Sequence, residues 1–242
     1  MARHLKPSPC AAPTDDLPVV ERRLDNGLLA IVLPRRHAPI VVCDLYYSVG
    51  SFDEPPGRTG LAHFVEHMLF KGTERFPKGQ IDRLVVLAGG QSNAETSEDS
   101  THYWFAFPSD RWELALAIEA DRMRGAIFEP AEIELERGVI AEERARELNS
   151  PQGRLDQTHL ALTYIRHPYR NPILGWPEDI VAITVDDLKS FYEVHYTPDQ
   201  AVLVVVGDVE PEAAMDLIAS HFADVPTGKT PRPRPTFAEP DQ

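Results

Sequence analysis

The sequence has only two cysteines among 242 residues, Cys10 and Cys43. So few argue against a disulfide framework or a thiolate-bound metal. Cys43 follows Ile40-Val41-Val42 and is expected as a small core residue. Positive charge is also scarce, with 24 Lys and Arg against 38 Asp and Glu, a formal net charge of −14. Nucleic acid is therefore not an expected partner, because phosphate binding needs clustered cations. Such a field draws cationic ligands such as basic peptides instead. No apolar run approaches the ~18 residues of a membrane span, so none is expected. Residues 1–17 also lack the apolar core of a secretory signal. As written, the chain is expected in the cytoplasm, or in a periplasm or organelle if a precursor begins upstream.

What is present is ordinary for a globular protein with a sizeable core: 43% hydrophobic and 26% charged residues. Residues 1–17 are polar and Pro-rich and are expected to be disordered. Residues 18–226 read as one folded domain, and the Pro-rich stretch 227–242 reads as a linker toward a further unit. Within the domain, strands are expected at 19–24, 28–33 and 40–49, the first two joined by Asp25-Asn26-Gly27. Helical periodicity follows at 60–71 and 80–88, then a strand pair at 91–96 and 101–107. Helices are expected from Ser109 or Asp110 to about 124, over 130–148, from 151 onward, and over 176–183 and 185–196. A strand at 201–206 and a helix at 211–222 complete the order. Phe70, Trp104 and Phe107 are expected in the core. The fold class is α+β, a mostly antiparallel sheet with helices packed on one side.

The helix at 60–71 carries His63-Phe64-Val65-Glu66-His67. Histidines at i and i+4 share one helical face, so two imidazoles can converge on one tetrahedral ion. Glu66 lies beside them, within reach of a water on that ion. The order is H-x-x-E-H, the inverse of the commoner H-E-x-x-H. A catalytic zinc takes three protein ligands, so a third must come from elsewhere. The helix at 130–148 offers Glu132, Glu134, Glu136, Glu142, Glu143 and Glu147. At 100° per residue, Glu136 and Glu143 lie within about 20° of one another, and Glu132 and Glu147 share their face with Ile133, Val139 and Ile140. Glu142 points away. Like charges at i,i+4 repel, so this stripe invites a cation, although a solvated acidic face would look the same.

These segments resemble the pitrilysin family, the inverzincins, which includes insulin-degrading enzyme and the β subunit of mitochondrial processing peptidase. The resemblance runs from about residue 19 to 226. In that family a Glu ligand ends an E-R-x-x-x-x-x-E stretch about 76 residues beyond the second His. Glu136-Arg137-Gly138-Val139-Ile140-Ala141-Glu142-Glu143 has that form, and Glu143 stands 76 positions after His67. The stretch Gly89-Gly90-Gln91-Ser92-Asn93-Ala94-Glu95-Thr96 resembles the family's active-site edge strand. His167-Pro168-Tyr169 and Tyr196-Thr197-Pro198 match later signatures.

The resemblance implies a metallohydrolase domain that binds one Zn2+ per chain through His63, His67 and Glu143, with Glu66 as general base. It implies an auxiliary carboxylate at Glu136, in a supporting or structural role, and substrate contacts at Asn93 and Ala94. The implied activity is endopeptidase action on peptides or unfolded polypeptide, since an extended chain can add to a sheet edge through main-chain bonds. Family members have two similar halves, the second supplying an Arg and a Tyr to the cleft. A homologous second half or partner subunit is therefore expected. Two other readings stand beside this one: a non-catalytic structural relative of the same fold, and a peptide-binding module without turnover.

Overall fold

Apolar side chains alternate with exposed ones along strand β3 (Ile40–Tyr47), where Val41, Cys43, Leu45 and Tyr47 are buried and Ile40, Val42 and Tyr46 are not. Strands β5 (Thr101–Pro108) and β6 (Ala201–Gly207) repeat the period of two. In the computed structural model, which describes residues 18–228 and 235–240, these strands sit centrally in one six-stranded sheet. Strand β1 (Val20–Arg23) and β2 (Leu29–Pro34) flank them on one side and β4 (Gln91–Thr96) on the other, in the order β1-β2-β6-β3-β5-β4. Only β2 and β6 run parallel; every other neighbouring pair is antiparallel. The expected disordered tail, 1–17, lies outside the described residues.

Helices follow the sequence's own punctuation. Helix α1 (Leu61–Leu69) and α2 (Gln80–Leu87) each begin after a glycine in the left-handed conformation, Gly60 and Gly79. Helices α4 (Pro130–Asn149), α5 (Pro151–Thr163), α6 (Pro177–Ala182) and α8 (Pro211–Phe222) open on proline, whose missing N–H costs nothing there. Helix α7 (Val185–His195) is started by a Thr184–Asp187 capping box.

Helix α3 (Glu113–Gly125) starts later than expected. Strand β5 continues to Pro108, the Ser109 N–H bonds to the Pro39 carbonyl at 3.0 Å, and neither Ser109 nor Asp110 caps the helix. The sheet holds the chain to Pro108, and Ser109-Asp110 then form a turn closed by the Arg111 N–H on the Pro108 carbonyl at 2.9 Å, so the helix starts only beyond that turn.

One sheet face is buried under the helices together with Phe64, Met68, Leu116, Ile118, Met215 and Ile218. Phe107 belongs to this core and Phe70 packs at its edge. Trp104 does not: it alternates with Tyr103 and Phe105 and lies half-buried on the opposite face. The stretch expected as a linker is partly docked. Phe237 meets the Phe52 ring edge-on at 5.8 Å, and the Glu239 carboxylate accepts the N–H groups of Ile165 (2.8 Å) and Arg166 (3.0 Å). Among the described residues no helix is long and apolar enough to cross a membrane.

Beneath the sheet, α3 buries an ion pair. Arg122 Nε donates to Glu119 Oε2 at 2.8 Å, both side chains are 1% exposed, and the guanidinium lies 4.2 Å from the Tyr103 ring centroid. Removing one partner of such a pair strands the other charge. Arg122→Met is expected to cost about 3–5 kcal/mol in urea unfolding. Adding Glu119→Gln to it should return part of that loss. A double variant no more stable than the single would contradict the pairing.

Candidate metal centre

Helix α1 is fixed before any metal is considered. Leu61, Ala62, Phe64, Val65, Met68 and Leu69 are all buried to 1% or less, so the helix cannot rotate without exposing core. Its first turn is held by Glu54, whose carboxylate accepts the N–H groups of Gly60 and Ala62, each at 2.9 Å. Gly60 in turn packs backbone-to-backbone against Gly175, where an added Cβ would stand 2.3 Å from the Thr59 carbonyl oxygen. Thr59 is locked there by Asp179 (2.6 Å) and by the Trp176 N–H (2.9 Å).

This orientation leaves one narrow face of α1 toward α4. His63 and His67 present their rings at 4.6 Å between centroids, tilted by 62°. Glu143 Oε2 lies 3.8 Å from His63 Nε2 and 3.5 Å from His67 Nε2. Ligand atoms about 2.0–2.1 Å from a tetrahedral zinc stand roughly 3.4 Å from one another, so these three atoms fit one ion with little movement. They are the only group of three such ligands found together among the described residues. Glu142 is exposed, as its helical angle requires. Val139, expected on the inward stripe, is 41% exposed, while Ile133, Glu136, Ile140 and Arg144 form the buried face.

Glu136 does not line the cleft. Its Oε2 takes His67 Nδ1 at 2.9 Å and its Oε1 takes Lys71 Nζ at 2.5 Å. Burial alone would raise its pKa, but the bonds to Lys71 and His67 outweigh that and hold it below the usual glutamate value. An ionised Glu136 keeps the proton of His67 on Nδ1 and leaves the Nε2 lone pair facing Glu143. His63 Nδ1 is buried and has no such partner among the described residues. Burial, reinforced by nearby His67, lowers the His63 pKa to about 3, so its ring stays neutral and able to ligate.

Glu66 lies buried beside the pair, where burial raises its pKa against an opposing hydrogen bond from Thr96 Oγ1 (2.5 Å). A carboxylate shifted this way is a stronger base. Glu66, His63 and Glu143 open onto a cleft of about 510 Å³, walled by Ala94 and Thr96 of the edge strand and by Leu174. Ala94 thus lies on the cleft wall with Glu66. Asn93 does not project there: with the strand's alternation it is exposed on the other face, which leaves it only its backbone to offer to the cleft. Thr96, Arg146 and Leu174 were not anticipated as cleft residues. Thr96 could have been suspected from the strand period, since it shares a face with Ala94.

The family model Insulinase (Peptidase family M16) matches residues 30–176, and a second, Peptidase M16 inactive domain, matches residues 182–242. The chain is 35% identical to a zinc protease, PqqE, of Helicobacter pylori, covering 90% of this chain and 50% of that protein. It is 32% identical to the β subunit of the mitochondrial-processing peptidase of Lentinula edodes, covering 86% of this chain and 45% of that one. The crystal structure of a Helicobacter pylori protease superposes with a TM-score of 0.89 at 33% identity, covering 93% of this chain and 55% of that chain. The chain therefore spans about half the length of these curated relatives.

In the metal-free protein, the His63 ring is expected to stay neutral at about pH 5, read from its imidazole resonances by NMR. The sign follows from burial: the unfolded chain takes up this proton near 6.5 and the folded one only near 3. The contribution of His63 to stability is therefore complete above about 6.5 and is lost as pH falls from there toward 3. A His63 ring titrating near 6.5 would contradict its burial.

Proposed function

This chain belongs to peptidase family M16, the insulinase family, and we propose that it is the zinc-binding, catalytic half of an endopeptidase that hydrolyses peptides or unfolded polypeptide. The observation that carries the reading is the convergence of His63 Nε2, His67 Nε2 and Glu143 Oε2 beside the Glu66 carboxylate, on one open cleft. A zinc ion held by the three ligands, one per chain, supplies a Lewis acid that makes water nucleophilic near neutral pH and polarises a carbonyl. Glu66 takes the proton of the attacking water and delivers it to the departing nitrogen. Glu136 acts through His67, fixing its tautomer and ring plane.

Substrate choice follows from the edge strand. Among the described residues strand β4 has a neighbour on one side only, β5, so its outer edge can pair with an extended peptide running past the ligands. Main-chain pairing is blind to side chains but demands an extended segment, which a folded protein does not offer. Ala94, being small, leaves room for that segment beside Glu66. The relatives' greater length supports a complementary second half, in the same chain or as a partner subunit, that closes the cleft from the opposite side. The presence of all three ligands and the base in one place favours turnover over a purely structural or binding role.

Elemental mass spectrometry should find about one zinc per chain, with a clear loss in Glu143→Gln. Glu66→Gln should keep its zinc while turnover of an unstructured peptide, measured with the complementary half present, falls by about 10²–10⁴-fold. No zinc in the wild type after zinc is offered, or a fully active Glu66→Gln, would sink the reading. Glu136→Gln is expected to weaken zinc binding by about 10–100-fold without abolishing it.

A further inference from the structure

Thr96 is the last residue of β4, and its hydroxyl is 2.5 Å from Glu66 Oε2. Both side chains are buried, at 8% exposure. Directly across the ladder stands Thr101, fully buried, whose own hydroxyl donates to the Val49 carbonyl at 2.9 Å. The two hydroxyl oxygens are 3.5 Å apart. Each hydroxyl has one proton to give. That of Thr101 is committed to Val49, and an ionised Glu66 can only accept, so the proton of Thr96 goes to Glu66. Among the described residues Oε1 of Glu66 takes no side-chain hydrogen bond, and Glu66 lines the cleft. One carboxylate oxygen is thus tied down and the other is left for chemistry.

We propose that Thr96 is a positioning residue: it anchors the Glu66 carboxylate to the same strand that aligns the peptide, so that base and substrate share one frame. This rests on the proposed peptidase reading of the cleft. The physical need is clear, because a glutamate side chain has three rotatable bonds and a general base must stand within hydrogen-bond reach of its proton. Helix α1 fixes the Glu66 Cα but not its carboxylate. Ser92, Ala94 and Thr96 lie on the cleft side of β4, so the residue that holds the base is two positions from the one that makes room for the peptide. A peptide paired to β4 is thereby set at a constant offset from Oε1. No other side-chain hydrogen bond to Glu66 is recorded among the described residues.

Thr96→Val keeps the shape and removes the hydroxyl, whereas Thr96→Ser keeps the hydroxyl. With the complementary half present, Thr96→Val is expected to lower kcat by about 10–100-fold, in line with the cost of a small misplacement of a catalytic group. KM should change by less than about twofold and zinc content should not change, because peptide pairing and the metal ligands are untouched. Thr96→Ser should restore most of kcat. A Val variant with wild-type kcat, or one that loses zinc together with activity, would overturn the proposal. Crystal structures of the zinc-loaded chain decide the matter without turnover. In Thr96→Val the Glu66 carboxylate should take a new orientation while His63, His67 and Glu143 stay in place, and an unmoved carboxylate would also overturn it. A zinc-loaded wild type that cleaves nothing would instead count against the peptidase reading alone.

Discussion

Helix α1 has to satisfy two demands that pull against each other. It buries six apolar side chains in the core, and it must also hold two imidazoles and a carboxylate at the one place where they can meet α4. A turn of one residue about the helix axis, about 100°, that carried Phe64 to the place of His63 would take both imidazoles off the face that meets α4. The rotation is set at the helix start. Glu54 takes the first N–H groups, and the contact between Gly60 and Gly175 admits no side chain on either residue. Those two glycines, both at positive φ, let the backbone of the 172–176 loop lie directly against that of the helix. The placement of both imidazoles on α1 follows from that contact together with the buried apolar face.

Helix α4 is the second support. Its buried face carries Ile133, Glu136 and Ile140, with the half-buried Glu143 at its rim, so burying the apolar pair brings both carboxylates to α1. Arg137 fixes the helix from the other side by donating to the Ile183 carbonyl at 3.0 Å, and Arg144 lies over the Trp176 ring at 5.6 Å. The two carboxylates then take different work from their surroundings. Glu143 is left open at the Nε2 atoms. Glu136, more deeply buried, is ion-paired with Lys71 and committed to Nδ1 of His67. Two chemically identical side chains two turns apart are separated in role by which nitrogen each one meets.

The sheet contributes through its asymmetry. One face is sealed by helices, the other exposes Ile40, Val42 and Tyr46, and β4 ends the sheet beside the ligands. An unpaired edge is ordinarily a hazard that proteins cover or blunt. Here the edge strand is polar on its open side, with Gln91, Asn93 and Glu95 exposed, and small on its cleft side. That pattern discourages a second sheet from adding indiscriminately and leaves backbone available along the cleft. The same strand carries Thr96, so the element with the open edge also reaches back to Glu66 on α1.

Much of this was legible in the chain itself. Periods of two and of 3.6, with proline and glycine at the boundaries, gave the strands and helices and their order, because those signals are local. His63, Glu66 and His67 were legible for the same reason: one helical turn brings them together whatever surrounds the helix. The stripe on α4 narrowed the candidates for a third ligand to one face, but Glu132, Glu136, Glu143 and Glu147 shared it, and family resemblance was needed to single out Glu143 as the candidate. What only the tertiary structure decided are the meetings between distant segments. These are Glu136 at Nδ1 of His67, Thr96 at Glu66, Gly175 against Gly60, the turn of Asn93 and Trp104 away from the buried side, and the docking of Phe237 and Glu239. Local pattern fixes which face a residue occupies, but which partner that face meets is set by long-range packing, and no spacing along the chain encodes it.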